Sequence, residues 1–309
     1  MRIIYWGWLV ILLLACHGCS DNSTPINTDD PDLVMDFESE PLNPAPTRIS
    51  DPNGNKNNCL HEIPFNAYYD YQICNAENCP VEDLIIERSD KHARKGNNSL
   101  RFFMKPTPLT NWPGQVTNHR AELGPDYDSP IPAFPSVGDE VWYGFSIYFP
   151  NDFVFAPEEI KSDIRFAIAQ WQHGTAGSPI IALEVYGDQI ALTREEGHST
   201  DSKWQWPVML TKIKKGEWMD IALQVKWAKN NGFLRVWANN EIVHELPKVQ
   251  TVYHDIDRGG AFKFGIYYWR WRRYEDVSKT LNAGIKNREI FIDELKQYKG
   301  SNGLTVVSP

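Results

Sequence analysis

Helical periodicity is what this 309-residue sequence most plainly lacks. No long stretch spaces its apolar residues three and four apart, which excludes a helical bundle. Positive charge is also short. With 31 Lys and Arg against 40 Asp and Glu, the formal net charge is −9, whereas domains that bind nucleic acid are ordinarily basic. Nucleic acid is therefore set aside as a partner, and any other polyanion needs a local basic patch working against the global field. The opening apolar run, "IIYWGWLVILLLA", is too short and wrongly flanked for a membrane span. It follows Arg2 and precedes cysteines, as an export signal does. Cysteines number five. Export permits disulfides, and behind the leader Cys59, Cys74 and Cys79 allow one bridge and one odd thiol, with no zinc-type pairing. Cys59–Cys74 and Cys59–Cys79 both stay open.

The end of the leader, "LLAC" at Cys16, resembles the lipobox of bacterial lipoproteins: Leu at −3 and a small residue at −1 of the cysteine that takes the lipid. "CHGC" at Cys19 is the alternative. The expectation is an exported cell-envelope lipoprotein at the outer membrane or cell surface, touching the membrane through its anchor alone, or else a secreted protein. Residues 1–19 are assigned to the signal peptide. Residues 20–32, polar and bearing Pro and Asp, are assigned to a flexible tether.

From residue 33 the pattern is short period-two runs broken by Gly, Pro, Asn and Asp. "NSLRFFMK", "VWYGFSIYFP", "MDIALQVKWA" and "REIFIDELKQY" are examples. About a dozen such runs predict an all-β fold, a concanavalin-like β-jelly-roll sandwich of two antiparallel sheets with a concave substrate groove. One domain is expected over 33–300, monomeric, with 301–309 as a C-terminal tail. Asn239-Asn240 between two runs predicts a tight hairpin turn with positive φ. A groove suits a long polymer, and faces rich in Trp suit sugars, because pyranose C–H faces pack on aromatic rings while the hydroxyls stay wet. Trp142, Trp227 and Trp237 are assigned to the core.

Three stretches carry the candidate chemistry. In "NHRAELG", Asn118, Arg120 and Glu122 share one strand face. An Arg there can grip a carboxylate with two parallel hydrogen bonds, held in place by the Glu. The plainer reading is a structural Arg–Glu pair on a solvated face. In "FAIAQWQH", Ile164, Phe166 and Ile168 are expected on a face that continues into Gln170 and Gln172. His173 falls opposite unless a bulge re-aims it, and a neutral His can abstract a proton. In "FKFGIYYWRWRR", a continuous strand would align Lys263, Gly265, Tyr267, Trp269, Trp271 and Arg273 on one face. A Tyr beside cations has its phenolate favoured, so Tyr267 can serve as base and then acid. The plainer reading here is an edge strand guarded by cations.

Taken in order, "NHRAELG", "AQWQH", "FKFGIYYW" and "REIFIDELKQY" resemble the jelly-roll polysaccharide lyases that include heparin lyase I and glucuronan lyase. More distantly they are similar to alginate lyases with the motifs R-x-E-L, Q-I-H and K-x-G-x-Y-x-Q. The resemblance spans roughly residues 84–300. It implies that Arg120 and Gln170 neutralise a uronate carboxylate and that Tyr267 is the proton donor and base, with His173 as the other candidate base. It also implies that Asn118, Glu122, Gln172 and Lys263 bind substrate. Arg270, Arg272 and Arg273 would attract a polyanion on which Trp269 and Trp271 stack. Two positions depart from the alginate-type motifs: Gln172 stands where they have His, and Trp269 replaces their final Gln. The implied function is β-elimination on a uronic-acid-containing anionic polysaccharide, endo-acting, with no cofactor required for the chemistry.

The sandwich pattern admits two other functions. A laminarinase-type hydrolase carries E-x-D-x-x-E, and E-x-D occurs nowhere in this chain. A non-catalytic lectin would use the same groove without needing Arg120, Gln170 and Tyr267 to converge. A structural calcium held by Glu38 and Asp293 is a further expectation, since carboxylates are the right ligands.

Overall fold

Alternation of apolar and polar residues does build strands, and tertiary pairing adds several that the sequence pattern hides. The structure, a computed structural model, describes residues 30–38, 61–64, 69–73, 84–106, 119–125, 133–174 and 177–309. The first half of the chain forms β1 (Leu33–Met35), β2 (His61–Pro64), β3 (Tyr69–Ile73), β4 (Leu84–Ser89), β5 (Ser99–Met104), β6 (His119–Pro125), β7 (Glu140–Tyr148) and β8 (Phe166–Gln172). The second half adds β9 (Ile181–Tyr186), β10 (Gln189–His198), β11 (Asp201–Lys212), β12 (Trp218–Lys226), β13 (Gly232–Ala238), β14 (Glu241–Val249), β15 (Ala261–Tyr268) and β16 (Arg288–Lys299). Helix α1 (Tyr274–Asn282) precedes β16, and helix α2 (Leu304–Val307) follows it.

Two antiparallel sheets result. The first runs β14-β13-β12-β7-β16-β5-β4, with β1 also paired to β16. The second runs β11-β10-β9-β8-β15-β6-β3-β2. Non-polar side chains from their facing surfaces interlock. Phe102 on β5 meets Phe264 on β15 edge-on at 5.9 Å, and Tyr143 on β7 packs 5.1 Å from Phe262 on β15. Burial of such rings supplies roughly 1.5–3 kcal/mol each. Asn239 and Asn240 take φ of 51° and 65°, the left-handed pair that lets β13 turn straight into β14.

Four strands were not foreseen: β2, β3, β4 and β11. In β11, Pro207 interrupts the pattern, and it is tolerated because β11 is an edge strand. Residues 301–309 are no loose tail. Helix α2 lays Val307 over Gly144, where a Cβ would come within 2.1 Å of the Val307 carbonyl oxygen. There Val307 joins Trp142 and Trp237, whose rings lie 5.1 Å apart, in a small cluster separate from the main core. Trp227 is fully buried in that main core. The leader with Cys16 and Cys19, the cysteines Cys59, Cys74 and Cys79, and Asn118 lie outside the described residues.

Candidate active site

Strand β15 sits inside the second sheet, between β8 and β6, and its two faces have opposite chemistry. Phe262, Phe264, Ile266 and Tyr268 are buried against the first sheet. Lys263 and Tyr267 turn to the outer face, and Gly265 between them is buried. Register then fixes their neighbours. Tyr267 lies opposite Arg120, and Gly265 opposite Glu122, on β6. Lys263 lies opposite Gln170 on β8. Paired residues point to the same side of a sheet, so Arg120, Glu122, Gln170, Lys263 and Tyr267 share one surface.

The contacts within this group are close. The Arg120 guanidinium lies 4.7 Å from the centre of the Tyr267 ring. Its Nη1 is 3.8 Å from Glu122 Oε2, near enough for attraction but beyond a hydrogen bond. Gln170 Nε2 donates a short hydrogen bond to Glu122 Oε1. Glu122 and Gln170 are both buried, so this bond fixes the Gln amide from below. Burial lowers the Lys263 ammonium to about 8, with Arg120 acting in the same direction and Glu122 against it.

Gly265 makes the arrangement possible. Its φ is +127°, and a Cβ there would lie 2.5 Å from the Ala121 carbonyl oxygen and 2.7 Å from Phe102. The β15–β8 register slips between Phe264 and Tyr267 at this point, and β8 is irregular against β9 between Ala167 and Ala169. Such an irregularity swaps the faces of the residues beyond it. It explains why Phe166 is core while Gln170, also even-numbered, faces outward. The single continuous face expected for Ile164, Phe166, Ile168, Gln170 and Gln172 does not exist.

Other expected site residues fall elsewhere. The strand does not continue through "WRWRR". It ends at Tyr268, and Trp269–Arg272 coil into a 3-10 turn leading to α1. Trp271 is buried, stacked 3.9 Å from Tyr268, and its indole N–H donates to Thr280 Oγ1 at 2.9 Å. It therefore cannot stack on a sugar, and it serves to lock α1 to the end of β15. Arg270 lies among acids, adding to the lowering of Asp163 by Lys279 and partly offsetting the burial that raises Glu184 and Asp276, and Arg273 is exposed at the start of α1. The aligned cationic rail is thus replaced by a turn that keeps Trp269 beside Tyr267, ring to ring at 5.8 Å.

His173 is buried edge-on to Tyr253 at 4.9 Å, and its carbonyl accepts from Arg258 Nε at 3.0 Å. Burial holds its imidazole below the usual range. It lies six residues along β8 from Ala167, the residue opposite Tyr267, which is roughly 20 Å at the rise of a strand. Tyr267 and His173 therefore do not flank one point. Gln172 folds onto the adjoining turn, accepting from the Gly174 N–H at 2.5 Å.

The two expected calcium ligands, Glu38 and Asp293, both accept hydrogen bonds from the 92–98 loop. Glu38 Oε1 accepts from the main-chain N–H of Asn97 and Asn98, and its Oε2 accepts from Asn98 Nδ2. Asp293 accepts from the N–H of Arg94, Lys95 and Glu294, and burial pushes its carboxyl up to about 6. These carboxylates clamp the 92–98 loop. Among the described residues no group of three or more His, Cys, Asp or Glu is placed to hold a metal.

Sequence reasoning missed a second cluster on the same face. Arg165, just before β8, pairs with buried Glu184 on β9 at 2.9 Å, and Thr193 on β10 donates to Glu184 at 2.8 Å. Arg165 also lies 5.0 Å from the Trp204 ring and 5.5 Å from the Trp269 ring. The signal that could have found it is a single acid, Glu184, inside the apolar run "IIALEVY".

Two antiparallel sheets packed face to face, with a polar and aromatic outer face on one of them, define a β-jelly-roll protein. Residues 67–296 match the family model described as polysaccharide lyase, and the chain belongs to that family. It is a polysaccharide lyase, and nothing here favours the lectin reading. Among solved structures, an endo-β-1,4-glucuronan lyase from the fungus Trichoderma reesei superposes with TM-score 0.57 at 20% identity, covering 77% of this chain and 94% of its own. A family 7 alginate lyase bound to substrate gives TM-score 0.50 at 13% identity, covering 76% of this chain and 93% of its own. No curated protein matches the chain in sequence.

Proposed function

We propose that this lyase cuts a uronic-acid-containing polysaccharide by β-elimination, within the chain rather than from its ends. The observation that supports this is the sharing of one surface by Arg120, Gln170, Lys263 and Tyr267, with the Arg120 guanidinium 4.7 Å from the Tyr267 ring. The C5 proton of a uronate is weakly acidic because the carboxylate beside it resists further negative charge. Arg120, with Gln170 held by Glu122, neutralises that carboxylate and stabilises the enolate-like state. Tyr267, as phenolate, takes the C5 proton. The C5–H electron pair becomes the C4=C5 double bond, the C4–O4 bond breaks, and Tyr267 returns the proton to O4. No water is consumed. Lys263 supplies positive charge for the polyanion. Asn118, Trp269 and the exposed Arg273 extend the contacts to substrate.

The test is an ultraviolet time course of purified protein with glucuronan, alginate, ulvan and glycosaminoglycans. Growth of the unsaturated-uronate absorbance on at least one polymer, with a rapid fall in viscosity, is expected. A flat trace on all of them would sink the proposal.

We infer also that the chain is exported and anchored to the cell envelope by a lipid on Cys16, with Cys19 as the alternative, and acts as a monomer. The "LLAC" motif supports the anchor, and no helix among the described residues is long and apolar enough to cross a membrane. Cys16→Ala should move the protein from the membrane to the soluble fraction. Sizing should give a single copy.

A further inference from the structure

The site described above ends at Trp269, but the aromatic surface does not. Tyr267 packs beside Trp269 at 5.8 Å, and Trp269 lies 5.5 Å from the Arg165 guanidinium. Arg165 lies 5.0 Å from Trp204, and Trp204 meets Trp206 at 5.3 Å. This ladder runs from the centre of the second sheet to its edge strand β11. Trp206 is 84% exposed and Trp204 37%. Leaving an indole so open is costly in water, and β11 could have carried a polar residue there as readily.

The placement is held rigidly. Arg165 is fixed by Glu184, which Thr193 also binds, so the rung between Trp269 and Trp204 has its guanidinium set by β9 and β10. Trp204 lies opposite Glu195 on β10, two residues on from Thr193. That parity puts Trp204 and Trp206 on the face that carries Glu184, Gln170 and Tyr267. Four strand spacings separate β15 from β11, about 19 Å, which places the pair a few sugar rings from Tyr267.

We propose that Trp204 and Trp206 form a stacking platform for a pyranose ring of the same polysaccharide, distant from the bond that is cut. The occupant is the substrate chain, because the platform is continuous with the surface of Tyr267 and Trp269. This rests on the function proposed above. An aromatic face reads the C–H face of a sugar and not its charge, so the platform adds affinity for chain length rather than for carboxylates. A cation does not replace it, since Arg165 is already engaged by Glu184.

The experiment compares the parent with Trp206→Ala and Trp206→Phe on the polymer that the parent cleaves, using long chains and trimers. For Trp206→Ala the KM for long chains should rise about five- to twenty-fold with kcat unchanged, trimers should be cleaved as by the parent, and Trp206→Phe should restore most of the affinity. Affinity electrophoresis through gels containing the same polymers reads the platform without turnover. Retardation lost in Trp206→Ala supports the platform whether or not the parent cleaves. Equal KM and equal retardation would overturn it. So would a Trp206→Ala protein that changes only its state of association, which would make the indole a contact between copies. A parent that cleaves nothing but is retarded through Trp206 would instead overturn the lyase chemistry on those polymers and leave the platform standing.

Discussion

The outer faces of the two sheets carry the same residue types and use them differently. On the first sheet Arg101 is pinned between Glu87 and Glu289 at 2.5 Å each, and Arg94 forks onto Asp220 at 2.9 and 3.1 Å. Ser146 adds a third hydrogen bond to Asp220. On the second sheet Arg120 stands 3.8 Å from Glu122 and spreads over an aromatic ring. The first arrangement satisfies carboxylates and ties a loop down. The second keeps a guanidinium close to its acid but not forked onto it, beside a phenol. A pair of opposite charges in one strand motif thus identifies neither role. The distance and the third partner do.

Several substitutions would break or sharpen that contrast. The largest effect is expected from Tyr267→Phe, which should cut kcat by about 10²–10⁴, the usual range for a lost general acid–base group, with an unchanged melting temperature. Gly265→Ala should come next. With φ at +127° and a backbone oxygen 2.5 Å from the new Cβ, the fold should lose roughly 2–4 kcal/mol, read by denaturant titration.

The contrast itself is tested by a matched pair. Arg120→Lys, which keeps a cation beside buried Glu122 but loses the two-pronged grip, should lower kcat about a hundredfold and hardly shift stability. Arg101→Met should leave kcat alone and cost about 1–2 kcal/mol, because two partly exposed carboxylates are left facing each other. The reverse outcome would make the Arg120–Glu122 pair the structural one.

The smallest effect concerns pH. Lys263 has its folded pKa lowered to about 8 from an ordinary 10.5. Between those values the unfolded chain binds more protons than the folded one, so stability rises with pH there, and below about 8 the cost of burying the charge is fully present. Substrate binding should run the other way. KM for a polyanion should increase a few-fold as pH passes 8, and Lys263→Met should flatten that rise. A parent whose KM ignores this window would remove Lys263 from the binding surface.

Much of this was legible in the chain because strands write their faces in alternation. "HRAELG" and "FKFGIYY" each state which residues share a side, and the sheet needed only to bring the two strands into register. The hairpin at Asn239-Asn240 was legible for a similar reason, since few residues accept two positive φ values in succession. Where reading failed, the cause was non-local. "WRWRR" alternates like a strand, but Trp271 gains more by stacking on Tyr268 and binding Thr280 of α1 than by pointing outward. The irregularity at Ala167–Ala169 reverses the faces of β8, and no local pattern announces it. For Glu38 and Asp293 the sequence shows acids without showing the main-chain N–H groups that meet them.

By itself, then, the sequence determined the sandwich class, the faces of β6 and β15, and the identities of the groups able to grip a carboxylate and move a proton. These follow from local alternation and side-chain chemistry. Tertiary structure alone decided that Tyr267 sits over Arg120, that Gln170 is held by Glu122, that His173 points into packing, and that Arg165, Trp204 and Trp206 extend the surface. Those outcomes depend on register, bulges and strand order, which are set by contacts between residues far apart in the chain.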